Sequence, residues 1–580
     1  MSPHSQNIDP AWPPGTVRLD GTYNLLRSIC MKFSASDSDV ILDLNAGSEI
    51  ILEPKPSKDP NDPLVITPDL HAPGMVVLIN IKIQNWPRWR KHLNFALVSY
   101  YVVMVMALVN VATVTWGPLN IELGFSYALL NDSYAAGCGA LAIGGIFLIP
   151  FALKFGRRPI YVLSTAIQCG ISIWSARMQN VADLMLVNIL SCIVGALSEV
   201  MVQMTVADIY FVHERGLMNT IYYWFMTVGT SLAPLAGGFI TLSQGWRWVW
   251  WWMAILFGAG LLAFIFLYEE TMFAYEPIDG VPITDRAASA LPSDKDAEAL
   301  AHGGVDIAKR EEVPYEPVEV DYSIPKKTYL QRLSLWSDSP VSFGQVAKHC
   351  YRPFLIMFSI PAVLFMAIEY GIMTACTTVP VTTLSSVMTL PPYNFGSSQI
   401  GLMGIPPFIG TCLATIICGP LSDSIALYLA KRNGGIYEPE MRLWLCLAFV
   451  PLVPAGLFMF GIGLNNGSHW LLPAFGLGVS AFGVVPASGA ALTYLTDAYT
   501  DIIADSVVAL TFVRNVISTL FVFALQPWVD RVGLKWFYIT FGLITMVVMF
   551  GNVFFIYFGK TFRVKLAHKY RHFGVQISAL

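Results

Sequence analysis

Twelve stretches of this chain are apolar for long enough to cross a bilayer, and a backbone placed in hydrocarbon has to satisfy its own amides and carbonyls. The stretches run Phe95 to Trp116, Tyr134 to Leu153, Ile160 to Ser175, Leu184 to Ile209, Thr220 to Ile240, Val249 to Tyr268, Phe354 to Val379, Ile400 to Pro420, Leu443 to Leu464, Trp470 to Tyr494, Val507 to Leu525 and Trp536 to Tyr557. Helices close their hydrogen bonds segment by segment, so the reading is an all-α membrane protein of twelve transmembrane helices. Composition agrees: 55% of residues are hydrophobic and 13% charged, a balance too apolar for a soluble globular chain. A formal net charge of -4, with Lys and Arg dispersed over loops, argues against a nucleic-acid surface. The nine cysteines lie mostly inside apolar runs without CxxC spacing and read as packing residues, not as a metal site or a disulfide framework.

The first ninety or so residues are polar and Pro-rich, without the basic start, apolar core and cleavage site of a signal peptide, so the N-terminus is expected to stay in the cytosol. On that orientation the cytosolic segments carry Arg88, Arg90, Lys91, Lys154, Arg157, Arg158, Arg215, Lys431, Arg432, Arg442, Lys560, Arg563, Lys565, Lys569 and Arg571. The outer loops carry only Arg177, Arg247, Arg531 and Lys535, as the positive-inside rule requires. The two sequons, at Asn131 and Asn466, both fall in outer loops and are candidate glycosylation sites. The segment Glu269 to Arg352 divides the spans six and six, and its centre is charged and rich in Ala, Gly and Pro. The expected organisation is a largely disordered cytosolic tail over 1–92, a six-helix bundle over 93–268, a cytosolic linker over 269–352, a second six-helix bundle over 353–557 and a cytosolic tail over 558–580, with both termini cytosolic. Two halves joined in this way suggest a repeat with a ligand site between them at mid-membrane.

"KFGRRP", with Lys154, Gly156, Arg157 and Arg158, sits between spans two and three, and "GPLSD", with Gly419 and Asp423, occupies the corresponding place between spans eight and nine. Span five contains "GTSLAPLAGG", with Gly229, Pro234, Gly237 and Gly238. Together with "ADIYFVHERGLMN", "GWRWVWWW", "YEET", "RNGGIYEPEMRLW" and "FVRNVIST", these resemble the major facilitator superfamily, in particular its fungal twelve-span drug:proton antiporter-like family and the branch related to polyamine and cation carriers. The paired loops resemble the family's gating loop, and the span-five stretch its antiporter motif, with Ala233 in place of one glycine. The first loop copy has Ile149 and Leu153 where the family has a glycine and an acid, and the second lacks the basic residues. Asp208, Glu214 and Arg215 read as further charges holding a gate. Val65 to Gln84 interrupts a junction that is continuous in relatives of this branch, which suggests a retained intron; sequencing the transcript tests this, and a message containing those codons refutes it.

Ionisable residues at mid-membrane are costly and are functional candidates by default. Glu199 in span four shares a helix face with Asn188, Ser191, Gly195 and Gln203, a stripe that implies a wet lining. Arg514 in span eleven shares a face with Thr511, Asn515 and Ser518, and either snorkels, pairs with Asp501 or Asp505, or serves the site. Glu369 stands alone in span seven. In the family, spans one, four, seven and ten line the central cavity, so the resemblance implies that Glu199 and Glu369 face it from opposite halves. Such a carboxylate can exchange a proton or attract a cation, and doing both makes proton and cargo compete. Glu369 as a hydrogen-bonded packing acid is the alternative. No Walker loop, metal spacing or nucleophile motif accompanies these residues, so neither a cofactor nor an enzyme activity is expected.

The expectation is a secondary active transporter of the cell membrane, alternatively the vacuolar membrane, working as a monomer in the lipid bilayer. Its partners would be a small-molecule substrate and protons. Proton-coupled export of an organic molecule is the first reading, a polyamine or cation importer of the same fold the second, and a transporter-like receptor signalling through the linker the third.

Overall fold

In the computed structural model the described residues are 17–18, 88–210, 212–271, 343–499 and 502–578. They are helical almost throughout. The first half comprises α1 (Arg88–Val111), a 3-10 turn (Ala112–Thr115) and α2 (Trp116–Leu123), then α3 (Tyr127–Phe155), α4 (Arg157–Ala176), α5 (Val181–Gly195), α6 (Leu197–Ile209), α7 (Val212–Gln244) and α8 (Trp246–Leu267). The second half comprises α9 (Phe343–Ser359), α10 (Pro361–Val387), α11 (Ser397–Leu402), α12 (Ile405–Arg432), α13 (Leu443–Phe449), α14 (Leu452–Asn465), α15 (Leu471–Ala498), α16 (Ile503–Val532) and α17 (Leu534–Ser578).

Eleven helical segments among the described residues are long and apolar enough to cross a membrane. The third expected span, α4, is a helix but is not one of them: it opens on two arginines and carries Gln168 and several hydroxyls in its middle. Its polar side is covered by protein, because Ser164, Thr165, Gln168, Ser172 and Ser175 are all buried. The helices are longer than the apolar runs, which end where polar residues begin although the backbone pattern continues. The Ser126 hydroxyl, for instance, caps α3 by accepting from Leu129 N at 3.3 Å, so this helix starts at Tyr127.

Three connections consist of a single glycine. Gly156 joins α3 to α4 with φ of 97°, Gly245 joins α7 to α8 with φ of 92°, and Gly533 joins α16 to α17 with φ of 83°. Only glycine turns a chain that tightly without Cβ strain. Gly245 and Gly533 occupy the same place in the two halves.

The halves meet along two seams, α3 against α16 and α7 against α11 and α12. In the first, Asn131 Nδ2 donates to Val522 O at 2.9 Å. Asn131 is therefore a buried helical residue whose amide nitrogen is already engaged, which removes it as a glycan acceptor; Asn466 is exposed in the turn after α14. In the second seam backbones touch directly. A Cβ on Gly238 would lie 2.5 Å from Ser397 O, one on Gly401 2.5 Å from Pro234 O, and one on Gly404 2.5 Å from Ser231 O.

Several boundaries differ from expectation. "GPLSD" is not in a loop: Gly419 and Asp423 lie inside α12, because the following "SIALYLAKR" continues the helix and a single interior proline, Pro420, removes only one backbone donor. The turn comes later, at Gly434 and Gly435 with φ of 69° and 83°, and leads into a two-residue strand β2 (Ile436–Tyr437). That strand pairs antiparallel with β1 (Val17–Arg18), Val17 opposite Tyr437 and Arg18 opposite Ile436, so part of the expected tail is ordered against the second half. The expected linker is shorter at both ends, since Glu269 and Glu270 bind the first half and α9 begins at Phe343. Its centre, most of the tail and Val65 to Gln84 lie outside the described residues. The helix α17 runs through the expected boundary at 557 to Ser578.

Candidate functional site

Near the middle of the molecule span four continues as α6 from Leu197, after a one-residue interruption at Ala196 whose backbone stays α-helical. Glu199 lies in the first turn of α6. Its Oε1 forms an ion pair with Arg514 Nη2, and its Oε2 accepts from Asn515 Nδ2 at 3.1 Å. Arg514 and Asn515 belong to α16, so the pair ties one half to the other. Both charged side chains are buried, 5% and 6% exposed as whole residues, which makes this a desolvated pair and not a surface one.

Aromatic residues enclose it. The Arg514 guanidinium lies 5.5 Å from the ring centroid of Tyr370 on α10, a cation–π contact. The Tyr370 hydroxyl is 3.5 Å from that of Tyr223 on α7. Tyr222 Oη donates to Ser198 O at 3.0 Å, holding the start of α6. Gly371 lets α10 approach α16, since a Cβ there would lie 2.9 Å from Ile517 and 3.2 Å from Arg514 Cα. One turn or so farther along α16, Ser518 Oγ donates to Thr378 Oγ1 at 3.2 Å. Tyr222, Tyr223 and Tyr370 were not singled out from sequence; the "YY" and "EYG" strings hold them, but nothing in the strings says which neighbours they meet.

Arg514 takes Glu199 as its partner, not Asp505 at the start of the same helix; Asp501 lies outside the described residues. The stripe expected along span four does not form one lining. Asn188 donates to the Ser133 hydroxyl of α3, the Ser191 carbonyl accepts from Gln168 Nε2 at 2.7 Å, and Gly195 packs on Val105. Glu199 alone reaches the other half, and Gln203 beyond it is partly exposed. Neighbouring helices engage the first part of the stripe.

Glu369 does not face the region between the halves. It is 0% exposed, and Asn552 Nδ2 of α17 donates to its Oε1. Tyr370, the next residue, is the one turned toward the first half, because successive helical residues point about 100° apart.

The ends of the bundles that carry the loop motifs are tied within each half. In the first, Glu270 accepts from the backbone N–H of Arg157 at 2.9 Å and of Arg158 at 3.0 Å, a carboxylate on the N-terminus of α4. Arg157 Nε donates to Asp208 at 3.2 Å, so the acid missing at Leu153 is replaced from the end of α6. Arg90 pairs with Glu269, and Lys91 Nζ donates to Ile209 O at 2.8 Å. In the second, Arg442 bridges Asp423 at 2.9 Å and Asp497 at 2.7 Å, and Arg563 binds Glu440 at 2.6 Å. Tyr437 Oη donates to Asp497 at 2.6 Å, and burial pushes its phenol up. Lys154 is in the last turn of α3; the side chains of Glu214 and Arg215 lie outside the described residues. In the span-five motif, Gly229 and Gly237 face α1, where added Cβ atoms would meet Val103 O at 2.7 Å and Val111 Cγ2 at 2.3 Å, while Gly238 and the Pro234 carbonyl face the other half.

Two sets of membrane-length helices joined along two seams over a buried charge pair form a membrane transport protein of the carrier type. Residues 93–515 match the Major Facilitator Superfamily, and the chain belongs to that superfamily. It is 30% identical to an uncharacterised MFS-type transporter of Schizosaccharomyces pombe over 97% of this chain and 95% of that one. It is 28% identical to Protein HOL1 of Saccharomyces cerevisiae over 97% of each chain, and 25% identical to the MFS transporter cpaT of Aspergillus oryzae over 83% of this chain and 89% of that one. The protein is a fungal-type transporter of this superfamily.

Proposed function

We propose that the protein is a proton-coupled secondary transporter that exports an organic small molecule by alternating access, with twelve spans counting α4, both termini in the cytosol, and a monomer in the cell membrane as the working unit. The observation that supports this reading is the Glu199–Arg514 pair, a buried interaction made between the two halves and not within either. When the halves rock apart at that level, the carboxylate needs a replacement for its counter-charge, and a proton or a cargo group supplies it. Transport against a gradient follows if the two alternate at the same site.

A second reading, uptake of an organic cation, draws on the same geometry: the Tyr370 ring lies against the guanidinium that is paired with Glu199, a setting that suits an ammonium or guanidinium group. The test compares intracellular and extracellular metabolites in cells with wild-type protein, no protein, or Glu199→Gln. Accumulation of one compound inside with both the deletion and the variant supports export through this site. A compound lost from inside supports uptake, and no compound responding to deletion refutes both readings.

A further inference from the structure

The proposed cycle puts one proton on Glu199 when the halves part, and the environment of Glu369 has the features of a second proton site. The side chain is fully enclosed in the second half. Asn552 Nδ2 donates to Oε1, while Glu369 Oε2 and Asn552 Oδ1 are both buried without a hydrogen-bond partner among the described residues. Both orphans are acceptors, and they belong to the same contacting pair. A buried acceptor without a donor costs about 1–3 kcal/mol. One proton on Oε2 turns that oxygen into a donor and lets the acid and the amide close a two-way hydrogen-bonded ring.

Among the described residues Asn552 supplies the one hydrogen bond to Glu369; on α17, Arg563 is bound to Glu440 and Tyr538 donates to Thr383. On α13 the Cys446 thiol is buried and donates to Pro486 O at 3.9 Å. On α10 Tyr370 is turned to Tyr223, on α16 Arg514 is committed to Glu199, and on α15 Tyr494 belongs to the same buried cluster. The α14 sequence contains no ionisable residue, and the 3-10 turn at Ala112–Thr115 none either. On α2 Glu122 is bound to Trp246 and Arg247, and Arg352 of α9 has partners of its own.

We infer that Glu369 and Asn552 form an acid–amide proton-binding pair inside the second half, separate from the charge pair that joins the halves. This deepens the proton-coupled reading and rests on it for its use in transport. Asn552 is a positioning residue: it holds the acid in the orientation that accepts the proton. Glu369 reports to the site between the halves through the adjacent Tyr370, whose ring lies against Arg514.

Infrared difference spectra of the purified full-length protein in lipid nanodiscs, recorded between acidic and alkaline buffer, test the pair without any cargo. The expected result is a carbonyl band of a hydrogen-bonded protonated carboxyl in wild type, lost in Glu369→Gln and displaced to higher wavenumber in Asn552→Ala. Glu369→Gln can donate and accept as the protonated acid does, so it keeps the fold, which a matching size-exclusion profile verifies. A band that survives Glu369→Gln, or that stays unmoved in Asn552→Ala, overturns the inference. If the band behaves as expected while export is indifferent to Glu369→Gln, the pair stands and its role in transport fails. If Glu369→Gln stops export with the band unaltered, the pair itself fails.

Discussion

Removing the Arg514 guanidinium while Glu199 stays in place strands a carboxylate that is 5% exposed, with Asn515 Nδ2 as its remaining hydrogen bond. Two unit charges at contact attract by about 4 kcal/mol at an effective dielectric of about 20. Leaving one member of such a pair buried and unpaired costs about 3–5 kcal/mol, because its desolvation is no longer offset. Arg514→Met and Glu199→Gln should therefore each lower stability by about that amount, while the double variant, which buries no charge, should lose less than either. The coupling read from the cycle should be about 3 kcal/mol or more, well outside the ~0.5 kcal/mol within which independent sites add. Thermal unfolding of the purified protein, followed through the fluorescence of its 16 tryptophans, gives the four values. Additive losses, or single variants indistinguishable from wild type, would refute a desolvated pair and leave Arg514 as a residue whose charge finds water.

Three other outcomes follow from particular contacts. If the protein is glycosylated, glycosidase treatment should shift its mobility, and Asn466→Gln should abolish that shift while Asn131→Gln leaves it intact, because Asn131 is held by Val522 inside the seam. Gly401→Ala places a methyl group 2.5 Å from a backbone carbonyl of the other half and should cost about 1–3 kcal/mol, measured by thermal unfolding, whereas Gly170→Ala, with nothing within 4 Å, should cost nothing. Gly156→Ala forces a side chain onto φ of 97° and should cost about 1–2 kcal/mol; a loss no larger than that of Gly170→Ala would show that the α3–α4 junction relaxes.

Length and apolarity reveal where helices exist, because hydrocarbon demands them, but reveal less about where they stop. At Pro420 the apolar run ended and the helix did not, and Asn131 looked like a loop acceptor because α3 begins before its apolar stretch does. Glu199 was identifiable as a candidate from its charge at mid-span and the polar residues on its helix face. Its partner was not, since Arg514 comes from the other half and helical periodicity reports a face without naming what covers it. Glu369 shows the same limit from the other side: the periodicity that turns Tyr370 toward the first half turns the glutamate away from it, and Asn552 carried no signal of its own in a span otherwise read as apolar.

The single-glycine joints at Gly245 and Gly533 have a mechanical consequence. A connection of one residue has little slack, so a slide of α7 along α8 by a helical turn would have to break the joint, and the same holds for α16 along α17. The inner members, α7 and α16, form the seams, while the outer members expose Trp252, Ile255, Leu262 and Phe266 on α8 and Val547, Phe550 and Phe554 on α17. Lipid pressing on those outer faces is therefore one short joint away from the helices that form the seams. The packing of the surrounding lipid is thereby linked, through two glycines, to the contacts between the halves.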